Sequence, residues 1–198
     1  MILFTSDHHL GHKNILTLGA GRPFKDLAHM HSVIINNWWN TVAPDDTVYL
    51  LGDIAMGSDF LKNLSIFKSL PGTKIFLRGN HDKIFPKLWS KEKQIYYTKV
   101  YEDNGFIVLP GLHHEIEIEV KEQKRKVLLS HTPYKNPDYK EPHKLDFARP
   151  IDNGLPLIHG HTHARNNPIN LNQYHVGVDA HNFTPVKETK IVKWLETL

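Results

Sequence analysis

Thr47-Val48-Tyr49-Leu50-Leu51-Gly52-Asp53 is a short apolar run that breaks off at a glycine and a lone carboxylate. A strand buried on both faces reads this way, and its last residues fall where the chain leaves a sheet. The same arrangement recurs on either side. Ile2 to Thr5 ends in Ser6-Asp7-His8-His9, and Lys74 to Leu77 ends in Arg78-Gly79-Asn80-His81-Asp82. Further on, Lys126 to Leu129 ends in Ser130-His131, and Leu157-Ile158 leads into His159-Gly160-His161-Thr162-His163.

Between the early strands lie helical patterns. From Leu27 the positions Leu27, His31, Ile34, Trp38 and Val42 recur at helical spacing, with Asp26 as N-cap and a stop before Pro44. Phe60, Leu61, Leu64, Phe67 and Leu70 mark a second amphipathic helix closed by Pro71-Gly72. Phe106 to Leu109 reads as a strand. Glu115 to Val120 alternates charge with β-branched residues and pairs with Lys126 to Leu129 as a hairpin with one wet face, so Lys121 to Lys126 is its tip in water. His175 to Val178 is a last strand, and Lys187 to Leu195 a closing helix with Thr184-Pro185 at its start. Residues 133–156, rich in proline, charge and aromatics, read as a long surface loop of the kind that carries function. The pattern predicts an α/β protein with mixed sheets.

At 198 residues the chain suits one domain, 1–198, with little left for a second. It has no cysteine, which excludes disulfides and thiolate metal sites and suits a reducing cytoplasm. No stretch has signal-peptide character or the length of apolar run that crosses a membrane. A net charge of +3 tolerates an anionic substrate but does not by itself imply nucleic acid.

The chain holds 15 histidines against 7 tyrosines, and many of them stand at strand ends. Ligands of open α/β sheets bind there, because the loops converge on one crevice. Asp7, His9, Asp53, Asn80, His81, His131, His161 and His163 would therefore meet. Imidazole and carboxylate without thiolate suit manganese first, with iron, zinc or nickel as alternatives, rather than an all-oxygen cage. In extended chain, residues two apart face one side, so Asp7 with His9, and His161 with His163, can reach a common ion. Gly52, Gly79 and Gly160 would let the backbone turn sharply as each strand ends. Asp53, alone at its strand end, is the natural bridge between two ions about 3.5–4 Å apart.

These five stretches, in this order, resemble the motifs of the calcineurin-like metallophosphoesterase superfamily from residue 7 to 163. Ser6 to Ile15 followed by Arg22-Pro23-Phe24 is similar to its small single-domain bacterial and phage branch. The resemblance implies two mixed β-sheets packed as a sandwich flanked by helices, a four-layer fold, and a dinuclear centre. Asp7, His9, Asp53 and His163 would hold one ion, and Asp53, Asn80, His131 and His161 the other. A metal-bound hydroxide would attack phosphorus, with His81 over the substrate as a non-ligand that steadies charge or protonates the leaving oxygen and Asp82 orienting it. Arg22 or His12 would hold a substrate phosphate.

The implied activity is hydrolysis of a small phosphodiester or phosphomonoester, nucleotide derivatives included. The alternatives are a nuclease acting on single strands or ends, and a non-catalytic interaction module. Ile54-Ala55-Met56-Gly57 after Gly52-Asp53, and Asp82 in place of glutamate, depart from the protein phosphatases of that superfamily. His8 and His159 read as structural, as do the histidines away from the motifs, and Trp38 and Trp39 as packing.

Overall fold

The computed structural model describes residues 1–18, 21–86, 90–135, 143–165 and 172–198, with the backbone alone described at 143 and 144. Part of the proposed 133–156 loop, and the side chain of His143, lie outside the described residues.

Strands β1 (Ile2–Thr5), β2 (Thr47–Leu51) and β3 (Thr73–Leu77) form where the apolar runs stand, joined by α1 (Leu27–Thr41) and α2 (Phe60–Ser69). Asp26 caps α1 as expected, its carboxylate accepting the backbone N–H of His29 at 2.8 Å. After α3 (Lys91–Asp103) comes β4 (Phe106–Val108). The hairpin pairs β5 (His113–Val120) with β6 (Gln123–Ser130), and β7 (Leu157–His159) and β8 (Gln173–His175) follow. The chain closes with β9 (Val186–Lys187) and α4 (Glu188–Leu195).

Two mixed sheets result, ordered β4-β3-β2-β1-β9 and β5-β6-β7-β8. The first is parallel except at β9, the second parallel except at β5. Alternation along the first sheet divides its side chains between two cores. Leu3, Val48, Leu50 and Phe76 face α1, α2 and α3. Phe4, Leu51 and Leu77 face Ile118, Val127, Leu129 and Ile158 of the second sheet, with Ile191 and Leu195 of α4 closing that layer. This is the two-sheet sandwich with flanking helices that the resemblance implies. The outer face of the second sheet carries Leu128, Leu157 and Tyr134.

Among the described residues, helix α3 and strand β9 were not foreseen. Helix α3 lacks an apolar stripe, since Tyr101 is its one buried residue. Strand β9 is only two residues long, and it takes up Val186 and Lys187 where a helix start was expected. The expected last strand also ends sooner, at His175, and Val178–Ala180 forms a 3₁₀ turn instead.

The wet face of the hairpin carries ion pairs Lys124–Glu117 at 3.2 Å and Lys126–Glu115 at 3.7 Å. Its tip is a two-residue turn, Lys121-Glu122, with φ of +50° and +64°. Both values belong to the left-handed region, which costs an ordinary L-residue about 1–2 kcal/mol and favours Asn-Gly. The double substitution Lys121→Asn, Glu122→Gly is expected to stabilise the protein by about 1 kcal/mol, seen as a higher urea midpoint at unchanged slope.

Candidate metal centre

The parallel strands β1, β2, β3, β6 and β7 release their chains toward one crevice. Beyond the strands, the segments after β1 and β2 stay zipped together: Asp7 N–H donates to Gly52 O at 3.1 Å and His9 N–H to Asp53 O at 2.9 Å. Asp7, His9, Asp53, His161 and His163 all have positive φ, between +50° and +73°. Their common aim therefore comes from left-handed kinks, not from the alternation of extended chain. Asp and His tolerate this region better than most residues, yet such values cost energy and gather at functional sites.

The glycines divide into two kinds. Gly52 turns at φ +88°. Gly79 and Gly160 do not need a positive φ; they yield space. A Cβ at Gly79 would stand 2.3 Å from Asp53 Oδ1, and one at Gly160 would stand 2.6 Å from Asp7 Oδ2.

One group of donors is Asp7 Oδ1, His9 Nε2 and His163 Nε2. The two imidazole nitrogens are 3.2 Å apart, and Asp7 Oδ1 is 3.9 Å from His9 and 4.0 Å from His163. Asp53 Oδ2 joins at 3.7 Å from His9 Nε2. The other side has Asp53 Oδ2 3.3 Å from His131 Nε2, which is 3.0 Å from Asn80 Oδ1. The His161 ring packs against His131 with centroids 5.1 Å apart, and its backbone N–H donates to Asp7 Oδ2 at 2.8 Å. Donors about 2.0–2.2 Å from a tetrahedral ion lie about 3.4 Å from one another, and the groups Asp7-His9-His163 and Asp7-Asp53-His131 are each close enough to hold a metal ion.

The donor chemistry passes a second test. Asp7 Oδ1 is fully buried and has no hydrogen-bond partner. A buried carboxylate oxygen without one is costly unless a cation faces it. His131 Nδ1–H donates to Leu51 O at 2.7 Å, which turns the Nε2 lone pair toward two oxygen acceptors, Asp53 Oδ2 and Asn80 Oδ1. Only a cation or a proton can sit among them. Burial works against charge on His131, but Asp53 more than offsets it and raises the pKa to about 10. Burial likewise opposes ionisation of Asp7 and Asp53, yet His131 and its neighbours hold both well below the ordinary carboxylate range. Burial keeps His9 neutral, its pKa lowered to about 3.

His81 is exposed at the mouth, its ring 5.7 Å from that of His9, while its backbone N–H donates to Asp53 Oδ1 at 2.9 Å. His12 stands 6.3 Å from His81 and 5.4 Å from His9, ring to ring. Both line a cleft of about 430 Å³ whose apolar wall is Ile15 and Leu18.

Two expected roles are corrected. Asp82 does not face the His81 ring. Its buried carboxylate accepts the backbone N–H groups of Asp53 and Gly79, each at 2.7 Å, that of Ile54 at 3.4 Å and the Tyr101 hydroxyl at 3.1 Å. It ties the ends of β2 and β3 together and so positions Asp53 and Asn80. Arg22 borders the cleft, but its guanidinium is buried and paired with Asp179, both bonds at 2.8 Å. Asp179 also accepts Nδ1–H of His163 at 2.9 Å. Sequence reasoning missed Asp179, although a carboxylate just past an apolar run is the cue that marked Asp7 and Asp53.

His8 and His159 are structural, as expected. His8 packs edge-on to Phe67 and near Trp38, and His159 Nδ1 lies 2.8 Å from Gly160 O. Of the remaining histidines, His31 accepts the N–H of Gly11, and His113 meets Ala148 O.

Fold and site together define a metal-dependent phosphoesterase. The chain belongs to the calcineurin-like phosphoesterase family, whose sequence profile matches residues 1–165. It is 33% identical over 186 residues to the Gene 66 protein of Mycobacterium phage L5, covering 89% of this chain and 86% of that one. An uncharacterized protein of Methanocaldococcus jannaschii is 31% identical, over 98% of this chain and 91% of its own. A crystal structure from Aquifex aeolicus, of a protein of unknown function, superposes with a TM-score of 0.69 at 28% identity over 98% of each chain.

The buried histidines set the acid limit of the fold. Burial lowers His8, His9 and His159 to about 3 and His175 to about 4, from an ordinary 6.5. Between pH 6.5 and 4 the unfolded chain takes up four protons that these native rings refuse, so stability falls on acidification. Asp82, raised to about 7 by burial and then by Asp53, protonates in the native state over the same window and offsets one of the four. Urea unfolding of chelator-treated protein is expected to lose about 4 kcal/mol per pH unit near pH 5.

Proposed function

We propose that this chain is a dinuclear phosphoesterase that hydrolyses a small phosphodiester or phosphomonoester, nucleotide derivatives included. The observation that carries the dinuclear reading is Asp53 Oδ2, one oxygen with His9 Nε2 at 3.7 Å on one side and His131 Nε2 at 3.3 Å on the other. Asp7, His9, Asp53 and His163 would hold the first ion, and Asp53, Asn80, His131 and His161 the second. Manganese is the first choice, with iron, zinc or nickel as alternatives, because the donors mix imidazole, amide and carboxylate. The lack of cysteine suits a reducing cytoplasm, and 1–198 acts as one catalytic unit.

When bound, the ions supply Lewis acidity toward the phosphoryl oxygens and make water acidic enough to act as a nucleophile near neutral pH. The chain does the rest. The carboxylates of Asp7 and Asp53 are kept ionised by the histidines around them and keep their lone pairs directed inward. His81 is exposed beside the His9 ring and can donate its ring N–H to a phosphoryl oxygen or pass a proton to the leaving oxygen. His12, its ring 6.3 Å from that of His81, would hold a second phosphoryl oxygen. The cleft of about 430 Å³ matches the size of small-molecule sites, and Ile15 and Leu18 offer the organic group an apolar surface.

The test is a metal-reconstituted panel of Mn, Zn, Ni and Mg against generic mono- and diesters, a 2′,3′-cyclic nucleotide and a short oligonucleotide. Small esters are expected to be hydrolysed; cleavage confined to the oligonucleotide and steeply weakened by salt would turn the assignment to the nuclease. Asp53→Asn is expected to abolish turnover and lower metal content, and wild-type rates in that variant would count against a shared carboxylate. His81→Ala is expected to keep both ions while kcat falls by about 10²–10⁴; loss of metal instead would make His81 a ligand.

A further inference from the structure

Arg22 and Asp179 lie 157 positions apart in the chain and meet beside the first donor group. A guanidinium has five N–H donors, and Arg22 engages all of them within the protein. Nε donates to Asp179 Oδ1 and Nη2 to Asp179 Oδ2, both at 2.8 Å. Nη2 also donates to Asp7 O at 2.6 Å, and Nη1 to His8 O at 3.0 Å and to Met30 Sδ at 3.6 Å. No donor remains for a substrate phosphate.

The partners of this fork explain what it does. Asp7 and His9 have φ of +62° and +52°, so the chain around His8 is kinked through the left-handed region. The carbonyls of Asp7 and His8 belong to that kink, and one rigid cation grips both. Through Asp179 Oδ2 the same cation reaches the Nδ1–H of His163, 2.9 Å away, whose Nε2 points at the Asp7 and His9 donors. A histidine that donates Nδ1–H to a carboxylate has its tautomer and ring orientation fixed, leaving Nε2 as the ligand atom.

We propose that Arg22 and Asp179 are positioning residues forming a clamp that sets the first metal group. Asp179 selects the His163 tautomer, and Arg22 locks Asp179 to the backbone that carries Asp7. The clamp joins the first ligand motif to the last through a residue that lies beyond the 1–165 span of the family match. It rests on the proposed metal reading, but part of it can be read without any metal.

The first measurement is a long-range ¹H–¹⁵N spectrum of histidine-labelled, metal-free protein. Wild-type His163 is expected as the Nδ1–H tautomer, and Asp179→Ala is expected to lose that preference. Finding wild-type His163 as the Nε2–H tautomer would overturn the clamp whatever the metal content.

The second is calorimetric titration with Mn²⁺. Asp179→Ala is expected to weaken one of two binding events by about 10–100-fold and leave the other unchanged. Arg22→Lys, which keeps the charge but not the fork, is expected to weaken the same event. A folded Asp179→Ala that binds both ions with wild-type affinity would overturn the clamp alone. Wild-type protein that takes up no transition ion would instead remove the metal reading, and the tautomer would still decide the hydrogen-bond half of the proposal. If Asp179→Ala does not fold, Asp179→Asn, equal in size but uncharged, takes its place; unchanged affinity and an unchanged His163 tautomer there would overturn the clamp equally.

Discussion

Asp7 and Asp53 put two carboxylates into a space closed to water, where charge survives only if something of opposite sign stands against it. The imidazoles of His9, His131 and His163 ring them, but a neutral ring offers a lone pair, not a charge. Without ions, the charge on His131 is the chain's internal answer: Asp53 lifts that ring to about 10 and keeps it protonated. A bound metal ion would supply the same compensation in place of that proton.

Much of the chain serves to hold that geometry. The sandwich brings strand ends from two sheets to one rim, and backbone hydrogen bonds continue beyond the strands to hold the ligand segments side by side. Asp82 then gathers the turns after β2 and β3 from beneath, with Tyr101 as its fourth donor. This gives α3 a purpose its sequence conceals. Its exposed residues mix charge with Ile95 and Tyr96, and its one buried side chain, Tyr101, reaches the support of the site.

How far the sequence spoke for the structure follows from the same physics. Asp7, Asp53, Asn80, His131, His161 and His163 were legible because each follows an apolar run, and burial of both strand faces leaves that run unmistakable. Asp179 carries the same cue more weakly, since Gly177 interrupts the apolar run before it and it sits in a 3₁₀ turn rather than at a strand end. Arg22 read as a loop residue free to hold a substrate phosphate because pairing with Asp179 depends on a contact that no spacing encodes. Gly79 and Gly160 were expected to turn the chain, whereas their need is for clearance, which depends on what another segment places against them. The α3 helix was hidden because a helix that buries one residue shows no stripe.

The mirror-image torsions at Asp7, His9, Asp53, His161 and His163 also limit how this centre could be re-engineered. At such a position a replacement is judged twice, once for its donor atom and once for whether its own main chain will adopt that fold of the backbone. A β-branched side chain fails the second judgement before its chemistry is tried. Libraries aimed at a different ion would therefore be narrower than the donor chemistry suggests: asparagine and aspartate, with histidine, are the alphabet this backbone accepts most readily.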